Sequence, residues 1–133
     1  MKVVRNNEIE WVNDTTHDML AGFNDFLPAN NSADIMFASI EPGHTLPRHW
    51  HTRPLDSDGT DNGYESFFFY QVAQIIVLRR NEEIEFDEKE PFTLTFYSGE
   101  EDMHGIKNLS NKPVLFQVLT APRFDENEEH IVN

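Results

Sequence analysis

The stretch "GHTLPRHWH", residues 43–51, sets the fold question for this chain. On a helix, His49 and His51 would point about 200° apart. On a strand they share a face, roughly 6–7 Å apart. That is near enough for two imidazoles to reach one ion through bonds of about 2.1 Å. The pair therefore has chemical meaning only in a β context, and only if further ligands arrive from elsewhere.

The flanking sequence supplies the β context. "ADIMFASIEPG" (33–43) is a β-like run stopped by Pro-Gly, and "YESFFFYQVAQIIVLRR" (64–80) is a long run of aromatic and β-branched residues. "EEIEFDEKE" (82–90) alternates, with Ile84 and Phe86 on one face. "FTLTFYS" (92–98) sets Phe92, Leu94 and Phe96 against Thr93, Thr95 and Tyr97, and "PVLFQVLTAP" (113–122) is a further strand. The turn signals "RNEE", "KEP", "SGEED" and "LSNKP" lie between these runs. Strands with turns every ~8–12 residues predict an all-β antiparallel sandwich or barrel with at most short helices. Nearer the N-terminus, "DTTHDMLAGFNDFL" (14–27) fits either of two forms. One is a short helix begun by Asp14 or Thr15 with Met19, Leu20 and Phe23 on one face; the other is an irregular strand. The polar tail "RFDENEEHIVN" (123–133) is expected on the surface.

Composition narrows the chemistry. The 133 residues suggest one domain, 1–133, with a core barrel at about 33–120. There are eleven Phe and no Cys. Disulfides, thiolate metal sites and a Cys nucleophile are excluded, so any metal is held by nitrogen and oxygen. A formal charge of −14 repels phosphate backbones, which argues against nucleic-acid partners. No segment resembles a signal peptide or approaches the ~20 apolar residues of a membrane span. A cytoplasmic protein without membrane partners is expected. "TRPLDSDGTDNG" (52–63) is a polar loop inserted between two strand-like runs. Read as a calcium loop starting at Asp58, it carries Phe69 where the closing Glu belongs, so it reads as a solvated turn.

Two further acid and imidazole positions complete a pattern. Gly43 is followed after five residues by His49, then His51, then the inserted loop, then Glu65 opening "SFFFYQV". Later, Gly99 is followed after four residues by His104 and after three more by Asn108. The order resembles the two motifs of the cupin superfamily, over roughly residues 33–120. Cupins place the Glu three or four residues after the second His, whereas here thirteen residues intervene between His51 and Glu65. Asp56 holds the usual place by count, but the run after Glu65 looks like the strand that follows the cupin Glu. The second motif also lacks its usual proline.

The resemblance implies a small jelly-roll barrel with a metal site formed by His49, His51, Glu65 and His104. Three imidazoles and one carboxylate suit Fe, Mn, Ni or Zn as the divalent ion, with positions left for water or substrate. Period-two alternation puts Glu65, Phe67, Phe69 and Gln71 on one strand face, so Phe67, Phe69 and Gln71 are candidate substrate-pocket residues. Trp50 then points away from the histidines. Tyr64, beside Glu65, and Arg48, beside His49, are candidate catalytic acid–base groups. Asn108 is expected to order a turn, and His17, His44 and His130 to lie on the surface.

By resemblance, the expected function is that of a metal-dependent enzyme acting on a small organic, aromatic or carbonyl-bearing molecule. Isomerase, lyase or polyketide-cyclase chemistry without redox change is favoured. The alternatives are an Fe(II) or Ni(II) cupin dioxygenase and a non-catalytic small-molecule-binding cupin. Cupins commonly dimerise through edge strands, and "KVVRNNEIEWV" is the candidate edge for a homodimer.

Overall fold

The computed structural model describes residues 1–24, 26, 33–52, 63–121 and 126–132. Among these residues eleven strands run in chain order: β1 (Glu10–Asp14), β2 (Met19–Phe23), β3 (Asp34–Ile40), β4 (Thr45–His51), β5 (Tyr64–Phe69), β6 (Ala73–Leu78), β7 (Glu83–Glu88), β8 (Phe92–Tyr97), β9 (His104–Asn108), β10 (Val114–Ala121) and β11 (Glu129–Ile131). Among the described residues the only helical elements are three single turns of 3-10 helix. None of them is long and apolar enough to cross a membrane.

The strands form two antiparallel sheets, one in the order β1-β2-β3-β10-β5-β8 and the other β11-β4-β9-β6-β7. This is a jelly-roll sandwich. Alternation does the sorting. In β5, Glu65, Phe67 and Phe69 are buried, and in β10 so are Val114, Phe116, Val118 and Thr120. The facing sheet contributes Ala73, Ile75 and Val77 from β6 and Ile106 from β9. Phe116 stands at the centre of the aromatic packing, with ring centroids 5.2 Å from Phe67 and 4.9 Å from Phe69. Each such fully buried Phe stabilises the fold by about 1.5–3 kcal/mol.

One segment settles an alternative and another differs from the sequence reading. Of the two forms open for residues 14–27, the described residues take the strand and hold no helix: β1 and β2 form a hairpin in register Asp14↔Met19 to Glu10↔Phe23. Helical spacing of Met19, Leu20 and Phe23 is overridden by pairing of β2 with β3, which buries Met19 and Ala21. The run 64–80 is two strands, β5 and β6, which lie in different sheets and are separated by Tyr70–Val72. The chain must cross the sandwich there, so hydrophobicity continues while pairing does not. β1 lies at the edge of the six-stranded sheet, with Trp11 and Val12 partly exposed.

Candidate metal centre and its cavity

A one-residue irregularity in β4 aims the histidines. Leu46 pairs with Ile106 and His49 with His104, so three residues of β4 span two of β9. The extra residue is a β-bulge at Pro47–Arg48. Without it, alternation from the buried Leu46 would turn Arg48 and Trp50 inward. With it, His49 and His51 face the interior, each 2% exposed. Proline, which cannot donate to a sheet ladder, marks the place. Trp50 points outward and stacks on His130, with centroids 4.1 Å apart.

The second strand pair brings the other two groups. Register places His49 beside His104 across β4 and β9, and Glu65 beside Phe96 across β5 and β8. Gly99 has φ +115, a conformation that favours glycine, and its N–H donates to the His51 carbonyl at 2.8 Å. The turn carrying His104 is thereby tied to the strand carrying His51. Gly105 lies where a Cβ would stand 2.7 Å from the Leu46 carbonyl, so only glycine lets β9 approach the bulge so closely.

The four side chains meet at one point. Their nearest ligand atoms all lie within 4.8 Å of one another, and all four residues are buried. Glu65 Oε2 is 2.7 Å from His51 Nε2, and Glu65 Oε1 is 3.8 Å from His49 Nε2 and 3.6 Å from His104 Nε2. Bonds of about 2.1 Å separate octahedral ligand atoms by about 3.0 Å when adjacent and 4.2 Å when opposite.

The imidazoles are also oriented for an ion. His49 Nδ1–H donates to the Pro47 carbonyl and His104 Nδ1–H to the Asp102 carbonyl, each at 2.9 Å. Both bonds fix the tautomer that leaves an Nε2 lone pair facing inward, the arrangement typical of metal-bound histidine. His104 Nε2 is buried and has no hydrogen-bond partner among the described residues. Phe96 lies flat on the His104 ring, with centroids 4.0 Å apart and planes at 6°, and the Arg79 guanidinium lies over the Phe96 ring, 5.4 Å from its centroid. These residues fit a divalent transition-metal ion.

Electrostatics agree with that donor set. Burial raises the Glu65 pKa, but His104, His49 and His51 outweigh it and hold the carboxyl well below its ordinary value. For His104, burial, assisted by His49, lowers the pKa despite Glu65. For His49, burial acts downward, but Glu65 outweighs it and the pKa is raised. An incoming cation would displace any proton held at the inward-facing ligand atoms.

A cavity of about 270 Å³ opens beside His49 and Glu65. Its lining combines apolar Met36, Leu46, Phe67, Phe116 and Val118 with polar Asp14, His17, Thr120 and Glu129.

No family model and no curated protein matches this sequence. The fold does have counterparts among solved structures. The polyketide cyclase RemF from Streptomyces resistomycificus superposes with a TM-score of 0.67 over 100% of this chain and 86% of its own, at 12% identity. The Streptomyces nucleoside dehydratase Pac13 gives 0.60 over 100% of this chain and 92% of its own, at 18% identity. CapF, the capsular polysaccharide assembling protein of Staphylococcus aureus, gives 0.64 at 16% identity over 94% of this chain; the match spans only 32% of CapF. This chain has the cupin fold.

On that cupin frame the expected residues sort as follows. His49, His51, Glu65 and His104 come together. Phe67 lines the cavity, whereas Phe69 belongs to the core and stacks on Phe92, with centroids 4.8 Å apart. Gln71 is exposed and is no pocket residue, because β5 ends at Phe69 and alternation stops there. Arg48 is turned outward by the bulge; its Nε donates to the Arg79 carbonyl at 2.9 Å and its guanidinium faces Glu83. Tyr64 lies on the outer face of β5, opposite in phase to Glu65. Neither of these two candidate acid–base residues lines the cavity. Asp56 lies outside the described residues. Asn108 orders the turn after β9: its Nδ2 donates to the Ile40 and Lys112 carbonyls, and its Oδ1 accepts from the Ser110 N–H and hydroxyl.

Three cavity groups escape the sequence reading. His17 is only 14% exposed; its Nδ1 meets Asp14 Oδ2 at 2.7 Å and its Nε2 meets Glu129 Oε1 at 2.5 Å. Burial would lower its pKa, but Glu129 and then Asp14 outweigh that and raise it to about 9. Glu129 comes from the tail expected on the surface. Tail and cavity meet because β11 pairs with β4 in register Glu129↔His51. A three-residue strand carries no periodicity to read, and a lone His after "DTT" carries no partner in sequence.

Proposed function

We propose that this protein is a divalent-metal-dependent enzyme that isomerises, cyclises or eliminates on a small organic substrate bearing a carbonyl or aromatic group. The observation that carries the reading is the convergence of His49, His51, Glu65 and His104 beside a partly apolar cavity that His49 and Glu65 line. A bound ion would supply a Lewis acid that polarises a substrate oxygen. His49 and His104 hold their Nε2 atoms inward through backbone bonds from Nδ1. Glu65 supplies the negative charge, and Phe67, Phe116 and Val118 exclude water. Asp14, His17, Asp34 and Glu129 are the titratable cavity groups outside the ligand set among the described residues, and they take the place that Arg48 and Tyr64 do not fill.

Non-redox chemistry is supported by the fold's counterparts named as a cyclase and a dehydratase. CapF is also known with the inhibitor 3-isopropenyl-tropolone, whose adjacent oxygens suit two open positions on one ion. The test is turnover of a panel of aromatic ketones and hydroxyketones by zinc-loaded protein without oxygen, followed by mass spectrometry. A product of unchanged mass, or lighter by one water, is expected, and it disappears on chelation. Turnover only with iron and oxygen uptake would replace this reading with a dioxygenase, and no metal-dependent turnover would remove it.

A further inference from the structure

The polar lining of the cavity carries unused hydrogen-bonding capacity. Thr120 Oγ1 is buried and has no hydrogen-bond partner among the described residues. Such an orphan needs a ligand or water to satisfy it. Glu129 is 8% exposed and uses Oε1 on His17, while its Oε2 stands 3.9 Å from His51 Nε2, beyond hydrogen-bond reach. Register brings Thr120 beside Glu65 and Glu129 beside His51, so both residues belong to strands paired with those that carry the candidate ligands.

The charge of the lining points the same way. Asp14, Asp34, Glu65 and Glu129 line the cavity, and no Lys or Arg does among the described residues. A low-dielectric cleft focuses such a field on whatever enters. An anionic guest would meet these carboxylates, and the imidazolium of His17 is already held between Asp14 and Glu129. A hydroxyl would find one acceptor on Glu129 and a donor or acceptor on Thr120, while its apolar body would lie against Phe67, Phe116 and Val118.

We propose that Thr120 and Glu129 are the recognition groups of this cavity, which selects uncharged, hydroxyl-bearing, largely apolar molecules and turns away carboxylates and phosphates. The inference names the substrate class of the proposed enzyme and rests on that reading of the cavity, but the charge selection belongs to the protein's own groups and is read without metal, because a bound cation attracts anions itself.

The test uses two naphthalene probes matched in size and in the spacing of their oxygens. One is 2,3-dihydroxynaphthalene, neutral near pH 7, and the other is the anion 3-hydroxy-2-naphthoate. Binding is titrated by fluorescence and calorimetry on the full chain, both chelator-treated and zinc-loaded. The diol should bind at least about tenfold more tightly than the hydroxy acid in the chelator-treated form. Thr120→Val, which keeps the shape, should weaken the diol by roughly fivefold with little change in melting temperature. Glu129→Gln, which keeps a hydrogen-bonding group beside His17, should narrow the preference by about tenfold through the acid's gain. In the chelator-treated form, equal or tighter binding of the acid, binding of neither probe, or a preference unchanged by both substitutions would overturn the proposal. A protein that selects the diol but takes no zinc would defeat only the metal-dependent reading; one that takes zinc but prefers the acid when chelator-treated would defeat only this inference.

Discussion

Phe96→Leu tests whether His104 is held by its neighbours rather than by chance packing. Phe96 is 4% exposed and lies flat on the His104 imidazole, while the Arg79 guanidinium lies over the Phe96 ring, 5.4 Å from its centroid. Leucine fills most of the space but has no flat face. The lost ring stack contributes about 0.5–1.5 kcal/mol, and the lost cation–π contact about 0.5–1 kcal/mol at this partly exposed guanidinium. Together the metal-free protein should lose about 1–2.5 kcal/mol. A chain of 133 residues unfolds with roughly 0.28 kcal/mol per degree, so Tm should fall by about 4–9 °C in calorimetry. The loosened ring should also weaken zinc binding about 10–100-fold in a competition titration, because groups that orient a ligand contribute at that level. A Tm within a degree of wild type together with unchanged zinc affinity would refute the reasoning.

Zinc at about a hundredfold excess over its Kd should stabilise the chain by about 2.7 kcal/mol, or roughly 10 °C in Tm, and His104→Ala should abolish that shift; an equal shift in the variant would place the ion elsewhere. His17, with a folded pKa raised to about 9 from an ordinary 6.5, contributes stability that is complete below pH 6.5 and is lost as pH rises through about 9. Chelator-treated wild type should therefore lose more Tm than His17→Gln between those pH values, and parallel profiles would contradict this. Asn108→Ala strands buried carbonyls and the Ser110 N–H, so urea unfolding should show a loss of about 2–3 kcal/mol; a loss below half of that would mean water satisfies the turn.

The sandwich was legible because alternation is local: Phe92, Leu94 and Phe96, or Val114, Phe116 and Val118, announce one buried face. The four-residue cluster was legible because the resemblance supplied an order of residues that spacing alone does not. What escaped depends on contacts across the fold. The bulge at Pro47–Arg48 shifts the phase of β4, so being next to His49 in sequence said nothing about where Arg48 points. Gln71 was lost to a crossing between sheets, which hydrophobicity does not mark. Glu129 and His17 meet across 112 positions of sequence, and no local pattern brings a terminal strand to an N-terminal hairpin.

The most direct measurement is an anomalous difference map from crystals of untagged protein equilibrated with zinc, collected at the zinc edge. The account predicts one strong peak about 2.1 Å from the Nε2 atoms of His49, His51 and His104 and from a Glu65 carboxylate oxygen. A map with no peak at that point, or with the peak on surface histidines such as His44 or His130, would contradict it.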